Sequence, residues 1–189
     1  MTDARLVLKK FGYNMKSRER DRRPTLDELD KVLKHFFEML QRRPSVIHMP
    51  KVMEFAIFST RRMDEIARIR WEDLDEHRQA VKVRGMKKTG QKTGNDVWCC
   101  LPDEAWIIVE SMPRECPEIF PYNTDSIGTA WSKACKITGI EDLHFHDLRH
   151  EVGSAGCLKW TGHTKGLKRI WASRLELVAK VHPFAWAWG

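Results

Sequence analysis

Behind Pro24, the stretch PTLDELDKVLKHFFEML sets Leu26, Leu29, Val32, Leu33, Phe36, Phe37 and Leu40 at three- and four-residue spacing. That period fits one face of an α-helix, and Thr25 with Glu28 supplies a capping box at its start. A helix of this kind holds together only when its apolar face is covered. The chain must therefore build further elements against it.

The next stretches provide them. A second helix is expected over about 46–60 and a third from near 62 to 70, where Ile66 and Ile69 face a core before the run WEDLD ends it. From Gln79 the period drops to two, through Ala80, Val81 and Val83. A loop, GMKKTGQKTGN, follows, and then Val97, Trp98, Cys99, Cys100 and Leu101. Two short strands flanking a long turn fit this best. Pro102 and Asp103 open a helix to about Met112; Asp125 or Ser126 caps another through Trp131 to Ile137, which Gly139 stops. The motif HFHDLRH begins the next helix. The fold class expected is α+β, mainly helical, with a small antiparallel β-hairpin between helices.

At 189 residues the chain can bury one good core without staples. It has no internal repeat, no signal peptide at its start and no apolar run long enough to cross a bilayer, and so reads as cytosolic. Five cysteines, an odd count with no C-x-x-C spacing, argue against a disulfide framework and a structural zinc site. A net charge of +7 favours a polyanionic partner. Residues 1–23 carry much of that excess, and KSRERDRR has no apolar face, so this part reads as a solvated basic arm or linker.

Helical residues three apart share a face, so His146 and Arg149 can present an imidazole and a guanidinium to one anionic group. A second cationic position is Arg62, one turn before Glu65. A third cluster is the turn at 82–92, where Lys82, Arg84, Lys87, Lys88 and Lys92 stand with no acid among them. Taken singly, Arg62 with Glu65 reads equally as an ion pair and the lysines as a solvated turn. His146 and His150 have i,i+4 spacing suited to zinc, with His144 nearby, but nothing else in the chain has matching ligand spacing.

Together and in this order, RRMDEIARIRWEDLD, a basic hairpin ending in Leu101-Pro102, and HDLRH resemble the catalytic domain of the tyrosine recombinases, the phage integrase family. The resemblance covers about residues 24–151. It implies that Arg62 corresponds to the family's first catalytic arginine and that His146 and Arg149 form its His-x-x-Arg. Lys88 or Lys92 would be the hairpin lysine, with Lys88 preferred. In such enzymes a tyrosine attacks a backbone phosphate. Two forked arginines then suit the non-bridging oxygens, a lysine suits the departing 5′-hydroxyl, and the histidine assists proton transfer or orients the phosphate. The resemblance implies double-stranded DNA as partner and tetramers on paired sites, with no metal or other cofactor. Arg20, Arg22, Arg23, Lys82, Arg84, Lys87 and Lys92 would contact DNA. It also implies a cytoplasmic, nucleoid-associated protein of bacterial or phage origin.

Two departures stand beside the resemblance. Residues 1–23 look like the last helix and linker of the family's amino-terminal DNA-gripping domain. The only tyrosines, Tyr13 and Tyr122, both precede HFHDLRH, whereas the family's nucleophile follows it. Tyr122 reads as a loop or core-edge residue. Gly162-His163 is similar to the family's later Gly-His pair but comes too soon after Arg149. Residues 152–189 hold four of the eight tryptophans and one acid, with poor helical periodicity. Codons permitted for VGSAGCLKWT, read from the third base of the Val152 codon, can spell GVSRLFEMDW, which is similar to the helix these integrases carry there. A frameshift near Glu151 is the expectation, leaving a chain unable to cleave DNA; a non-enzymatic DNA-binding remnant or regulator is the alternative. The ending FAWAWG reads as loosely packed, not as a membrane-interface helix.

Overall fold

The computed structural model describes residues 22–43, 47–86 and 95–151, with His150 and Glu151 as backbone only. Tyr13 and Arg20, the hairpin turn with Lys87, Lys88 and Lys92, and the tail with Gly162-His163 lie outside the described residues. The helical elements are α1 (Leu26–Arg42), α2 (Met49–Ser59), the single turn α3 (Met63–Ile66), α4 (Asp103–Glu110) and α5 (Thr124–Thr138). A three-stranded antiparallel sheet lies between α3 and α4, in the order β1 (Leu74–Asp75), β2 (Ala80–Met86), β3 (Asn95–Cys100). This is the mainly helical α+β architecture expected. Among the described residues no helix is long and apolar enough to cross a membrane.

α1 starts as its sequence requires. The Thr25 hydroxyl accepts from the Glu28 amide at 3.2 Å while the Glu28 carboxylate accepts from the Thr25 amide at 2.8 Å. Six of its seven periodic apolar residues are buried and Leu26 is half-buried. α2 is buried all round and forms the centre of the core, in contact with α1, α4 and the turn that carries HDLRH. Phe55 of α2 meets Phe120 at 4.8 Å between ring centres.

The expected helix over 62–70 lasts only one turn. Ile66 and Ile69 are buried as predicted, but the Ile69 carbonyl accepts from the Ile119 amide at 2.9 Å, and the Trp71 amide donates to the Pro117 carbonyl at 3.1 Å. The segment 117–119 thus takes backbone groups that a longer helix would use internally. A 3₁₀ turn, Trp71–Asp73, and β1 follow, and β1 pairs Leu74 with Val81 and Asp75 with Ala80. The cap of α5 is Asn123, whose side chain accepts from the Asp125 amide at 2.8 Å, two or three residues before the expected Asp125 or Ser126. Gly139 ends α5 as expected, at φ +70°.

A lysine lies among the polar groups buried in this core. Lys51 of α2 is 9% exposed and donates from Nζ to the Ser111 carbonyl at 2.7 Å, beside α4. Burial pushes its ammonium down to about 8, with Glu54 opposing. In the unfolded chain the group titrates at its ordinary higher value, so between the two the folded state binds fewer protons and stability rises with pH. The expected gain is about 1 kcal/mol between pH 8 and pH 9. Above that range the buried Cys135 thiol, pushed up to about 11 by desolvation, works in the opposite direction. Denaturant melts at pH 7, 8 and 9 check this: the rise should vanish in Lys51→Met, and an unchanged slope in that variant refutes it.

Candidate phosphodiester site

The site is built where three chain segments meet. α2 ends at Ser59, and Thr60 follows in the left-handed conformation at φ +55°, which swings the chain into the amino-terminal turn of α3. Arg62 caps that turn: its amide donates to Glu65 Oε2 at 3.0 Å and its Nη1 to Glu65 Oε1 at 3.1 Å. The Glu65 carboxylate is 5% exposed, so it fixes Arg62 from beneath while the guanidinium stays 42% exposed.

HFHDLRH forms a 3₁₀ turn, Phe145–Glu151, in place of the expected start of an α-helix. The difference favours the site, because residues three apart eclipse one another in a 3₁₀ turn. Asp147 locks it: fully buried, its Oδ2 accepts from the His144 amide at 2.8 Å. Phe145 packs edge-on against Trp131 with centroids 5.5 Å apart, and Leu148 is fully buried. The two apolar residues of the motif therefore point inward, and His146 and Arg149 are left facing the surface.

Arg62, His146 and Arg149 line one cleft of about 190 Å³, together with Arg61, Met63, Asp64 and Phe145. Arg149 Nε donates to the Thr60 carbonyl at 2.8 Å, which aims the rest of its guanidinium along the cleft. Burial pushes this guanidinium below its ordinary value and Arg62 adds to the shift; Glu65 opposes, and Arg61 lowers it further. Three arginines line the cleft against Asp64 at its wall and the buried Glu65 carboxylate beneath, so positive charge is in excess there.

Among the described residues, the remaining expected DNA contacts lie off the cleft. Arg22 forms a two-pronged pair with Glu28, at 2.6 and 3.1 Å. Lys82 meets Asp96 at 3.2 Å, and Arg84 meets Asp73 and Glu72, each at 2.8 Å. Hydrogen bonds donated to Asp73 and then Glu72 hold the Arg84 guanidinium above its ordinary value. These pairings compete with phosphate for the same donors. Arg23 is exposed ahead of α1. Tyr122 packs at the edge of the core and its phenol is raised by desolvation; it does not line the cleft. Among the described residues no three His, Cys, Asp or Glu side chains gather as metal ligands.

Arg61 was not singled out by sequence reasoning, which stopped at its neighbour. The doubled arginine at the entry to a helical turn was the available sign. The contact to Cys99, far along the sequence, that gives it a place was not visible.

Comparison with known proteins accords with this geometry. The chain is 32% identical to the shufflon-specific DNA recombinase of Escherichia coli over 134 residues, 70% of this chain and 32% of that protein. It is 30% identical to the integrase of Salmonella phage P22 over 125 residues, 56% of this chain and 31% of that one. The chain thus spans about a third of the length of these curated relatives. Its fold resembles that in the crystal structure of a lambda integrase dimer bound to a COC′ core site, with a TM-score of 0.50 at 19% identity over 71% of this chain and 40% of that one. Residues 25–155 match the family model described as phage integrase family, a span that takes in all three cleft arginines, the hairpin and HDLRH. With that match extending over more than half of its length, the chain belongs to the phage integrase family.

Proposed function

We propose that this chain is the phosphodiester-binding module of a site-specific DNA recombinase or integrase. The observation that carries the reading is the convergence of Arg62, His146 and Arg149 on one cleft. Burial, and after it repulsion from Arg62, lowers Arg149, and an anion docked there favours its charged form, so the site attracts a phosphate electrostatically before any contact is counted. In this reading Arg62 and Arg149 take the non-bridging oxygens, and His146 orients the phosphate or moves a proton. The hairpin begins at the cleft wall, where Cys99 of β3 touches Arg61. It carries Lys88, the preferred donor to the leaving 5′-hydroxyl, with Lys92 the alternative. Arg20, Arg22, Arg23, Lys82, Arg84, Lys87 and Lys92 supply contacts along double-stranded DNA. Residues 1–23 serve as the arm and 24–151 as the catalytic unit.

The same reading makes the chain a binder that does not cleave. No tyrosine lies between Arg149 and Gly189, so the phosphotyrosyl bond has no nucleophile from that stretch, and residues 152–189 are read as out of frame. Reading the gene downstream of codon 151 tests the last point: an alternative frame encoding an integrase-like helix and a later tyrosine supports it.

The function is tested with supercoiled plasmid and duplex DNA in a salt series. Binding that weakens steeply with salt is expected. Arg62→Ala and Arg149→Ala should each weaken it by roughly tenfold, and no covalent adduct should form. Equal binding by wild type and Arg149→Ala overturns the cleft as the phosphate site. A covalent adduct overturns the inactive reading and restores the enzyme.

A further inference from the structure

Arg61 differs from the other two arginines of the cleft in what its nitrogens do. Nε donates to the Ser59 carbonyl at 3.0 Å, Nη2 lies 3.4 Å from the Thr60 hydroxyl, and Nη1 donates to Cys99 Sγ at 3.2 Å and stands 3.9 Å from Glu65 Oε2. Every nitrogen of the fork is engaged, and the side chain is only 19% exposed. By contrast, Nε supplies Arg149's one hydrogen bond among the described residues. Arg61 is therefore poorly placed to offer a donor to a bound anion, although it lines the cleft.

Its four partners are the groups that set the cleft. Ser59 and Thr60 form the left-handed corner after α2, and the Thr60 carbonyl holds Arg149. Glu65 holds Arg62. Cys99 sits on the inner face of β3, opposite Val81 in the register, and so ties the sheet to the same point. One planar fork bridges the end of α2, the turn of α3 and the hairpin. A lysine ammonium, a point charge on a flexible stem, cannot reproduce that geometry.

We propose that Arg61 is a positioning residue that holds the Thr60 carbonyl and the Glu65 carboxylate in register, and through them Arg149 and Arg62. Its consequence for anion binding rests on the phosphodiester reading above; its effect on Arg149 does not. The decisive measurement is exchange of the Arg149 Nε proton with water, followed by ¹⁵N NMR of arginine side chains and assigned with Arg149→Lys. Arg61→Lys and Arg61→Ala should both speed that exchange by about tenfold, and both should weaken binding of inorganic vanadate to a similar degree. Cys99→Ala removes one acceptor and no charge, and should shift exchange in the same direction by about two- to threefold. It also keeps the test alive if the Arg61 variants do not fold.

Wild-type exchange in Arg61→Lys would mean that charge alone suffices, which overturns the proposal. Weakened vanadate binding with unchanged Arg149 exchange in Arg61→Ala would make Arg61 a direct ligand, and overturns it equally. If the wild-type protein binds neither vanadate nor DNA, the phosphodiester reading fails. The exchange rates then still decide what Arg61 does.

Discussion

Trp131→Ala is expected to lower stability by about 3–5 kcal/mol, the usual range for truncating a large buried aromatic. Trp131 is 2% exposed, and its ring meets Phe145 edge-on and Phe36 at 6.5 Å. Its indole N–H donates to the Leu143 carbonyl at 3.0 Å, within the interior. Truncation leaves a cavity and a buried carbonyl short of this donor, and the two costs add. The damage also has a direction. Leu143 and Phe145 bracket His144 and lead straight into His146, so the 3₁₀ turn loses its support on one side. Anion binding should weaken by more than in a core variant of equal stability loss distant from that turn. Trp131→Phe, which keeps most of the volume and loses the donor, should cost less. Urea unfolding followed by circular dichroism, paired with a DNA titration, checks both statements. A loss below about 1 kcal/mol for the alanine variant would show that the indole is not the support described.

The second large effect is expected at Glu65. Removing one partner of a buried ion pair commonly costs about 3–5 kcal/mol, because the other charge is left without compensation. Here Arg62 is 42% exposed and Arg61 19% exposed, so water takes up part of the loss and about 2 kcal/mol is expected for Glu65→Ala. Glu65→Gln retains an oxygen that can accept from the Arg62 amide, and should recover about half of that through the backbone cap alone. The functional signature runs the other way from an ordinary destabilising change. The cleft becomes more positive, so weak, salt-sensitive attraction for any duplex is kept or raised, while Arg62 loses its fixed orientation. A flatter salt dependence in Glu65→Ala than in wild type would contradict this.

Much of the scaffold was legible in the sequence because local and global preferences agree there. α1 carries its period, its capping box and its buried face in one uninterrupted stretch. Gly139 ended α5 for the backbone reason expected of it, and the period change at Gln79 marked the sheet. The failures share a cause. The helix over 62–70 was overextended because its competitor, the segment 117–119, lies some fifty residues away and shows itself only through the bonds it takes from Ile69 and Trp71. β1 has two residues, too few for any alternation to register. Asn123 displaced Asp125 as the cap because either residue type can do that work, and sequence alone does not say which amide is presented.

For the site, the family resemblance was needed to name Arg62, His146 and Arg149 together, and the structure brings those three to one cleft. Spacing did not show that Lys82 and Arg84 face Asp96, Asp73 and Glu72. The first is a partner on the opposing strand, and the others come from the turn before β1. A run of cations without acids between them looks unpaired in one dimension and is partly neutralised in three. Arg61 was hidden for the same reason, since its sulfur partner stands 38 positions further along the chain.

Thr60 is a β-branched residue held at φ +55°, where such side chains are rarely tolerated and a cost on the order of 1–2 kcal/mol is typical. Glycine at that position would relax the backbone, and an engineer ranking substitutions by thermal tolerance would choose it early. The same exchange would loosen the pivot from which the Arg149 guanidinium hangs. A hardier protein obtained that way should be a poorer receptor, and selection for heat resistance and selection for ligand grip should pull this one codon in opposite directions.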